Sequence, residues 1–165
     1  MDIDDHPAET PRPATVVVLV CGERMREDDG VAEAAVAMLP EDVRALARIE
    51  TVGLLSVESL LDIPQGAGVV VADAAAGVPP GQVVSVPLEK VARDGVFPAT
   101  THVMPPDQVI ALAAELSGRM PRGVFVGVGG AEFGFGEKLS AAVEAALPDY
   151  VAALANAIRT LSREP

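Results

Sequence analysis

Five short apolar runs, separated by stretches rich in polar residues, Gly and Pro, dominate the hydrophobic pattern of this chain. The runs cover residues 16–20, 47–52, 69–72, 82–87 and 123–128. Their length and their content of Val predict β-strands. The first run is apolar at every position, which is typical of a strand buried on both faces of a parallel sheet. The fourth run holds Pro87, which a strand tolerates at the edge of a sheet but not at its centre.

Helix-forming patterns fill most of the segments between these runs. We expect a buried helix over residues 31–39, short helices over 41–47 and 57–61, a helix from Pro105 or Pro106 to about residue 116, and a long C-terminal helix broken or kinked near Pro148. Ser56 can cap the third of these. We expect residues 89–99 to be irregular and the Gly-dense residues 129–136 to form a mobile loop. Strands alternating with helices predict an α/β fold, with three layers and a mostly parallel sheet.

Composition and charge narrow the class of protein. The formal net charge is −12, which argues against nucleic acid as a partner and favours a partner with a basic segment. One cysteine cannot form an internal disulfide, and no apolar run reaches the roughly 20 residues of a membrane span. Residues 1–14 lack the features of a signal peptide, and we expect them to form a disordered acidic tail before a single domain over residues 15–165. These features predict a cytoplasmic protein.

Three polar features follow the predicted strands. The first strand leads into Glu27, Asp28 and Asp29, the third strand ends at Asp73, and His102 lies on the irregular segment before a helix. Each has an ordinary explanation, since an Asp can cap a helix or a turn and a His can lie on a surface loop. Ligands of open α/β sheets bind at the C-terminal ends of the strands, where two adjacent strands would bring Asp29 and Asp73 together. Carboxylates and an imidazole together suit a divalent transition metal. Two interpretations therefore stay open, a metal site or ordinary caps and a surface histidine.

Several stretches, in the same order, resemble the hydrogenase maturation endopeptidases. Residues 27–31, EDDGV, resemble the Asp-Asp/Glu-Gly motif of that family, and residues 69–77, VVVADAAAG, resemble its strand ending in Asp-Ala. Pro80-Gly81 and Thr101-His102 continue the match, and residues 133–140, FGFGEKLS, resemble the late Gly-rich turn into a Leu-Ser helix start. The resemblance extends from about residue 15 to residue 147.

The resemblance implies a fold, an activity and a site. The fold is an α/β/α domain, phosphorylase/hydrolase-like, whose five-stranded mixed sheet has one antiparallel strand. The implied activity is that of a metal-dependent endopeptidase, which removes a C-terminal extension from the nickel-loaded large-subunit precursor of a nickel–iron hydrogenase. Asp29, Asp73 and His102 match the family's catalytic and metal-binding positions, and the nickel that they engage is that of the substrate. We expect a monomer without a Ser-His-Asp triad, and we expect Cys21 to be a core residue rather than a nucleophile.

Two positions depart from the family pattern and leave alternatives open. The family's first turn glycine falls on Val20 and its Asn falls on Glu23, while Gly22 matches. An alternative function is therefore a non-proteolytic, metal-sensing assembly or binding protein on the same fold. A third is a small-molecule enzyme that uses the acids as a general base. No Gly-x-Gly-x-x-Gly motif follows the first strand, which argues against a dinucleotide enzyme.

Overall fold

The computed structural model describes residues 16–95 and 104–164, which form a three-layer α/β/α fold around one five-stranded sheet. The strands are β1 (Val16–Cys21), β2 (Ala47–Gly53), β3 (Gly68–Ala75), β4 (Val83–Pro87) and β5 (Gly123–Gly129). Their order across the sheet is β2-β1-β3-β5-β4, and only the pairing of β4 with β5 is antiparallel among these strands. The mixed sheet and the edge position of the Pro87 strand are as predicted.

Two helical layers cover the sheet. The helices are α1 (Val31–Ala37), α2 (Glu41–Arg44), α3 (Val57–Leu61), α4 (Leu88–Asp94), α5 (Pro106–Ser117) and α6 (Ala141–Arg163). Val16, Val18 and Val20 of β1 belong to the apolar core that also contains residues of α1, α2 and α6. Val17 and Leu19 belong to the core on the opposite face, with residues of α3, α4 and α5. Complete burial of the β1 apolar run thus follows from its central place between two helical layers.

The structure corrects three local predictions. Residues 88–94 form helix α4 rather than an irregular segment, with Leu88 and Val91 buried and Gly95 ending the helix in a left-handed conformation. Helix α6 continues through Pro148, so of the two predicted alternatives, a break or a kink, the break is wrong. Strand β3 does not end at Asp73 but runs on to Ala75. The predictions for residues 1–14, for residues 96–99 and for His102 lie outside the described residues. Within the described parts of the chain, no helix is both long enough and apolar enough to cross a membrane.

Candidate active site

A cleft of about 440 Å³ opens where β1, β2 and β3 reach their C-terminal ends. This is the edge at which open α/β sheets place their ligand sites. Two carboxylates, one guanidinium and a largely apolar surround make up its lining. The lining residues are Gly22, Arg26, Asp29, Gly53, Leu54, Leu55, Asp73, Ala74, Ala76, Met104, Pro105, Pro106, Phe125 and Phe133.

Asp29 is held at the cleft by the turn that follows β1. Residues 27–30 form a single 3-10 turn, and one carboxylate oxygen of Asp29, Oδ2, accepts a hydrogen bond of 2.8 Å from the backbone N–H of Glu23. Gly22 adopts φ = +102°, and a Cβ at this position would overlap the carbonyl oxygen of Asp29. Only glycine fits here, because it tolerates both the positive φ and the close approach.

The two departures from the family pattern are compatible with this turn. Val20 is a buried residue within β1, and Gly22 alone takes the left-handed conformation at the end of that strand, so Val20 does not need a glycine-like backbone. Glu23 contributes its backbone N–H to Asp29, which most residue types could do. Its own carboxylate accepts a hydrogen bond of 3.3 Å from the backbone N–H of Met25.

Asp73 lies on β3, the strand next to β1, and its carboxyl group is subject to the negative charge of Asp29. It pairs with Gly127 in the ladder between β3 and β5, and its side chain is half-buried. Its Oδ1 accepts a hydrogen bond of 2.8 Å from the backbone N–H of Ala74. Burial, reinforced by the negative charge of Asp29, raises the pKa of Asp73 to about 7. The structure therefore brings two of the three predicted site residues into one cleft.

Asp28 has a different task from that of its neighbour. It is fully buried and accepts hydrogen bonds from the backbone N–H groups of Ala131 (2.8 Å), Glu132 (2.9 Å) and Ser140 (2.7 Å). Burial alone would raise the pKa of Asp28, but these donors outweigh it and hold the pKa below its ordinary value. Neither Asp28 nor Asp29 caps the helix after Gly30, since the start of α1 has no side-chain cap, so that explanation is wrong. Asp28 instead anchors the Gly-dense loop through the backbone N–H groups of Ala131 and Glu132.

Cys21 and His102 are the two remaining candidate residues. Cys21 is buried at the end of β1, and burial together with the charges of Asp73 and Asp29 raises the pKa of its thiol, so it stays protonated and is a poor nucleophile. His102 lies outside the described residues. In residues 16–95 and 104–164, no three His, Cys, Asp or Glu side chains gather into a metal site.

Two further residues line the cleft without any signal in the sequence pattern. Arg26 is the one cationic side chain among the described lining residues, and Phe133 adds an aromatic ring from the Gly-dense loop. Arg26 immediately precedes an acidic run and Phe133 lies among glycines, so hydrophobic periodicity gives no signal for either.

These features define the class as an α/β protein with an acidic site at the C-terminal edge of its sheet. Residues 49–157 match the family model described as hydrogenase maturation protease, and the chain belongs to that family. The matched range includes Asp73 and His102, while Asp29 precedes it. The prediction of this family from the sequence is confirmed.

Solved structures agree on the fold. The hydrogenase maturating endopeptidase HybD from E. coli is similar with a TM-score of 0.70 and 21% identity, over 88% of this chain and 92% of that one. The [NiFe] hydrogenase maturation protease HybD from Thermococcus kodakarensis has a TM-score of 0.63 and 22% identity, over 84% and 95%. The [NiFe] hydrogenase maturation protease HycI from T. kodakarensis has a TM-score of 0.62 and 18% identity, over 88% of this chain and 93% of that one. No curated protein matches the chain significantly. At these identities the likeness establishes the fold.

Proposed function

We propose that this protein is an endopeptidase that removes a C-terminal extension from the large-subunit precursor of a [NiFe] hydrogenase and recognises the nickel already bound there. Membership of the hydrogenase maturation protease family supports the proteolytic reaction. The observation that carries metal recognition is the pair of carboxylates, Asp29 and Asp73, that line one cleft. We further propose that the protein acts as a cytoplasmic monomer.

The hydrogen bonding of the pair fits a metal ligand role. Asp29 uses Oδ2 to accept from a backbone N–H, and Asp73 uses Oδ1 in the same way. The second oxygen of each carboxylate makes no hydrogen bond with the described residues. Backbone bonds of this kind orient a metal ligand and leave its other oxygen for the ion. With His102 as the third ligand of the proposal, coordination positions would remain for the ligands of the substrate.

The chain's own residues supply the remaining requirements of the reaction. A divalent ion beside the scissile peptide can polarise its carbonyl or activate a water molecule. Because burial and mutual repulsion raise the pKa of Asp73 to about 7, this carboxyl can also hold or release a proton near neutral pH. Leu54, Leu55 and Phe125 add an apolar surface beside these polar groups.

A non-proteolytic assembly protein remains the second candidate, and Glu23 is the observation in its favour. The exposed acid lies in the turn that holds Asp29, where the family pattern has an amide. This candidate predicts nickel-dependent binding of the precursor without cleavage, whereas the endopeptidase predicts a shortened product.

The decisive experiment incubates purified large-subunit precursor, nickel-loaded or nickel-free, with wild type, Asp29→Asn and Asp62→Asn. Mass spectrometry follows the C-terminal truncation. We expect cleavage of the loaded precursor alone and a loss of at least about 100-fold in Asp29→Asn. Asp62→Asn should cleave at wild-type rates, because its carboxylate is exposed and is not part of the cleft lining. Equal cleavage of nickel-free precursor would exclude metal recognition. Binding of the precursor without truncation would favour the assembly protein.

A further inference from the structure

Exposed large apolar side chains gather beside the cleft. Met25 is 42% exposed, Phe133 39% and Phe135 90%, and we call these three residues the aromatic ridge. The chain contains only four Phe residues, and two of them lie in this loop. Leu54 and Met104, at 57% and 47%, add apolar surface at the cleft itself. A grouping of this kind, next to a polar site, is typical of a protein interaction surface.

The backbone that carries the ridge is fixed on both sides of Phe135. The N–H of Gly134 donates to Oε2 of Glu27 at 2.7 Å, and the N–H of Gly136 donates to the carbonyl oxygen of Met25 at 2.8 Å. The N–H of Glu27 in turn donates to the carbonyl oxygen of Gly136 at 2.7 Å. Glu27 itself has φ = +51°, a conformation that is uncommon for a residue with a side chain.

A fixed backbone beneath an exposed ring has an energetic consequence. Ordering a loop during association lowers affinity, so a loop that is already ordered binds with less loss of entropy. Aromatic residues in such positions supply much of the binding energy at protein interfaces. At 90% exposure, the ring of Phe135 has little packing to contribute to the fold. Its placement therefore points to a partner.

We propose that the aromatic ridge docks the folded body of the large-subunit precursor, on an apolar patch flanked by basic side chains. This inference rests on the proposed function. Phe133 belongs both to the ridge and to the cleft lining, so the ridge continues the surface into which the extension must enter. The extension occupies the cleft, and the ridge meets the part of the precursor that stays outside it.

Charge supports this choice of occupant. Glu27 and Glu132 lie on the same loops as the ridge, whereas Glu137 is paired with Arg24 at 3.3 Å, so the charge immediately beside the ridge is mixed. The chain as a whole carries a net charge of −12. This net charge attracts basic side chains on a partner and repels a second copy of this chain. The ridge would thereby add recognition of the precursor's surface to recognition of its nickel.

The test compares Phe135→Ser with Leu116→Ser, since Leu116 is 63% exposed on α5 and is not part of the cleft lining or of the ridge. Steady-state cleavage of intact, nickel-loaded precursor is measured, and calorimetry measures precursor binding by the same proteins. We expect Phe135→Ser to raise KM and Kd about tenfold or more with kcat unchanged, and Leu116→Ser to match wild type. Phe135→Leu should fall between Phe135→Ser and wild type.

The outcomes separate this inference from the proposed function. Cleavage by Phe135→Ser with wild-type KM and Kd would overturn the ridge and leave the endopeptidase intact. Binding without cleavage by wild type would overturn the endopeptidase, while a weakened Kd in Phe135→Ser would still support the ridge. A wild type that dimerises through Phe135, or that does not bind the precursor at all, would show that the occupant is wrong.

Discussion

Replacing Asp28 by Asn should destabilise the protein by about 3 kcal/mol without touching the cleft directly. The carboxylate accepts three backbone hydrogen bonds in a fully buried position, two on Oδ2 and one on Oδ1. In its less damaging orientation, the Asn amide keeps its oxygen on the Ala131 and Glu132 side and turns its NH2 toward the N–H of Ser140. The charge-assisted bond from Ser140 is then lost, and its N–H and the Asn NH2 face each other as two unpaired donors. The loss of this bond and of its acceptor costs about 3 kcal/mol, the upper end of the range for a hydrogen bond to a charged group.

The pH dependence of this difference has a definite sign. The N–H donors, opposing the effect of burial, hold the pKa of Asp28 below its ordinary value in the folded state. The stabilisation is therefore complete above the unfolded pKa of about 3.9 and is lost as pH falls through the lower folded pKa. Asn has no such titration. The gap between wild type and Asp28→Asn should thus be largest near neutral pH and should narrow in acid.

Urea unfolding followed by circular dichroism measures both effects. With a slope of about 2 kcal/mol per molar urea, a loss of about 3 kcal/mol lowers the midpoint by about 1.5 M. Total stabilities are about 5–15 kcal/mol, so the variant should still fold. Asp62→Asn is the matched control, because its exposed carboxylate makes no hydrogen bond with the described residues, and it should stay within about 0.5 kcal/mol of wild type. An equally small change in Asp28→Asn, or a gap that widens in acid, would refute the anchoring role.

Three further predictions concern the cleft. Asp73→Asn should exceed wild type at pH 8 by about 1–3 kcal/mol in the free energy of unfolding, and should therefore unfold at a higher temperature. The reason is that a carboxyl with a folded pKa of about 7 destabilises the fold as pH rises from about 4 to 7, whereas Asn does not titrate. The same variant should fail to process the precursor. Cys21→Val should retain activity, and its free energy of unfolding should lie within about 1 kcal/mol of that of wild type. Inactivity of the folded variant would favour a thiol mechanism. Nickel calorimetry should show weaker binding in His102→Ala than in wild type. The nickel affinity of wild type should fall in acid, since a ligating imidazole must be neutral and an unperturbed His has a pKa of about 6.5. Affinity that is independent of both pH and His102 would remove that residue from the site.

The fold could be predicted largely because its signals are local. The Val-rich runs of β1 and β3 are apolar at successive positions, as expected of central strands, and Pro87 marked the edge. Helix α4 was missed because it has only seven residues, and two buried side chains, Leu88 and Val91, give too short a pattern to identify a helix. Its left-handed end at Gly95 is an ordinary stop signal that gains meaning only once a helix is expected.

The site could be predicted only in part because its roles depend on distant contacts. Asp28 and Asp29 are adjacent and chemically identical, yet one binds a loop more than 100 residues further along the chain and the other lines the cleft. No local pattern distinguishes them. The glycines of the same loop indicate a mobile segment, whereas the hydrogen bonds that hold it come from residues far away in sequence and leave no local signal.

The electrostatics of the cleft explain how a metal-loaded precursor could be told from an empty one. Burial and the charge of Asp29 raise the pKa of Asp73 to about 7, so near neutral pH the carboxylate pair binds a proton in part of the molecules. A divalent cation reverses this balance, because it binds the ionised form of both carboxylates and expels the proton. Under the proposed function, a precursor that brings nickel gains this interaction. A precursor without nickel leaves that proton in place and gains no such interaction, so under the proposed function the carboxylate pair itself would favour the loaded precursor.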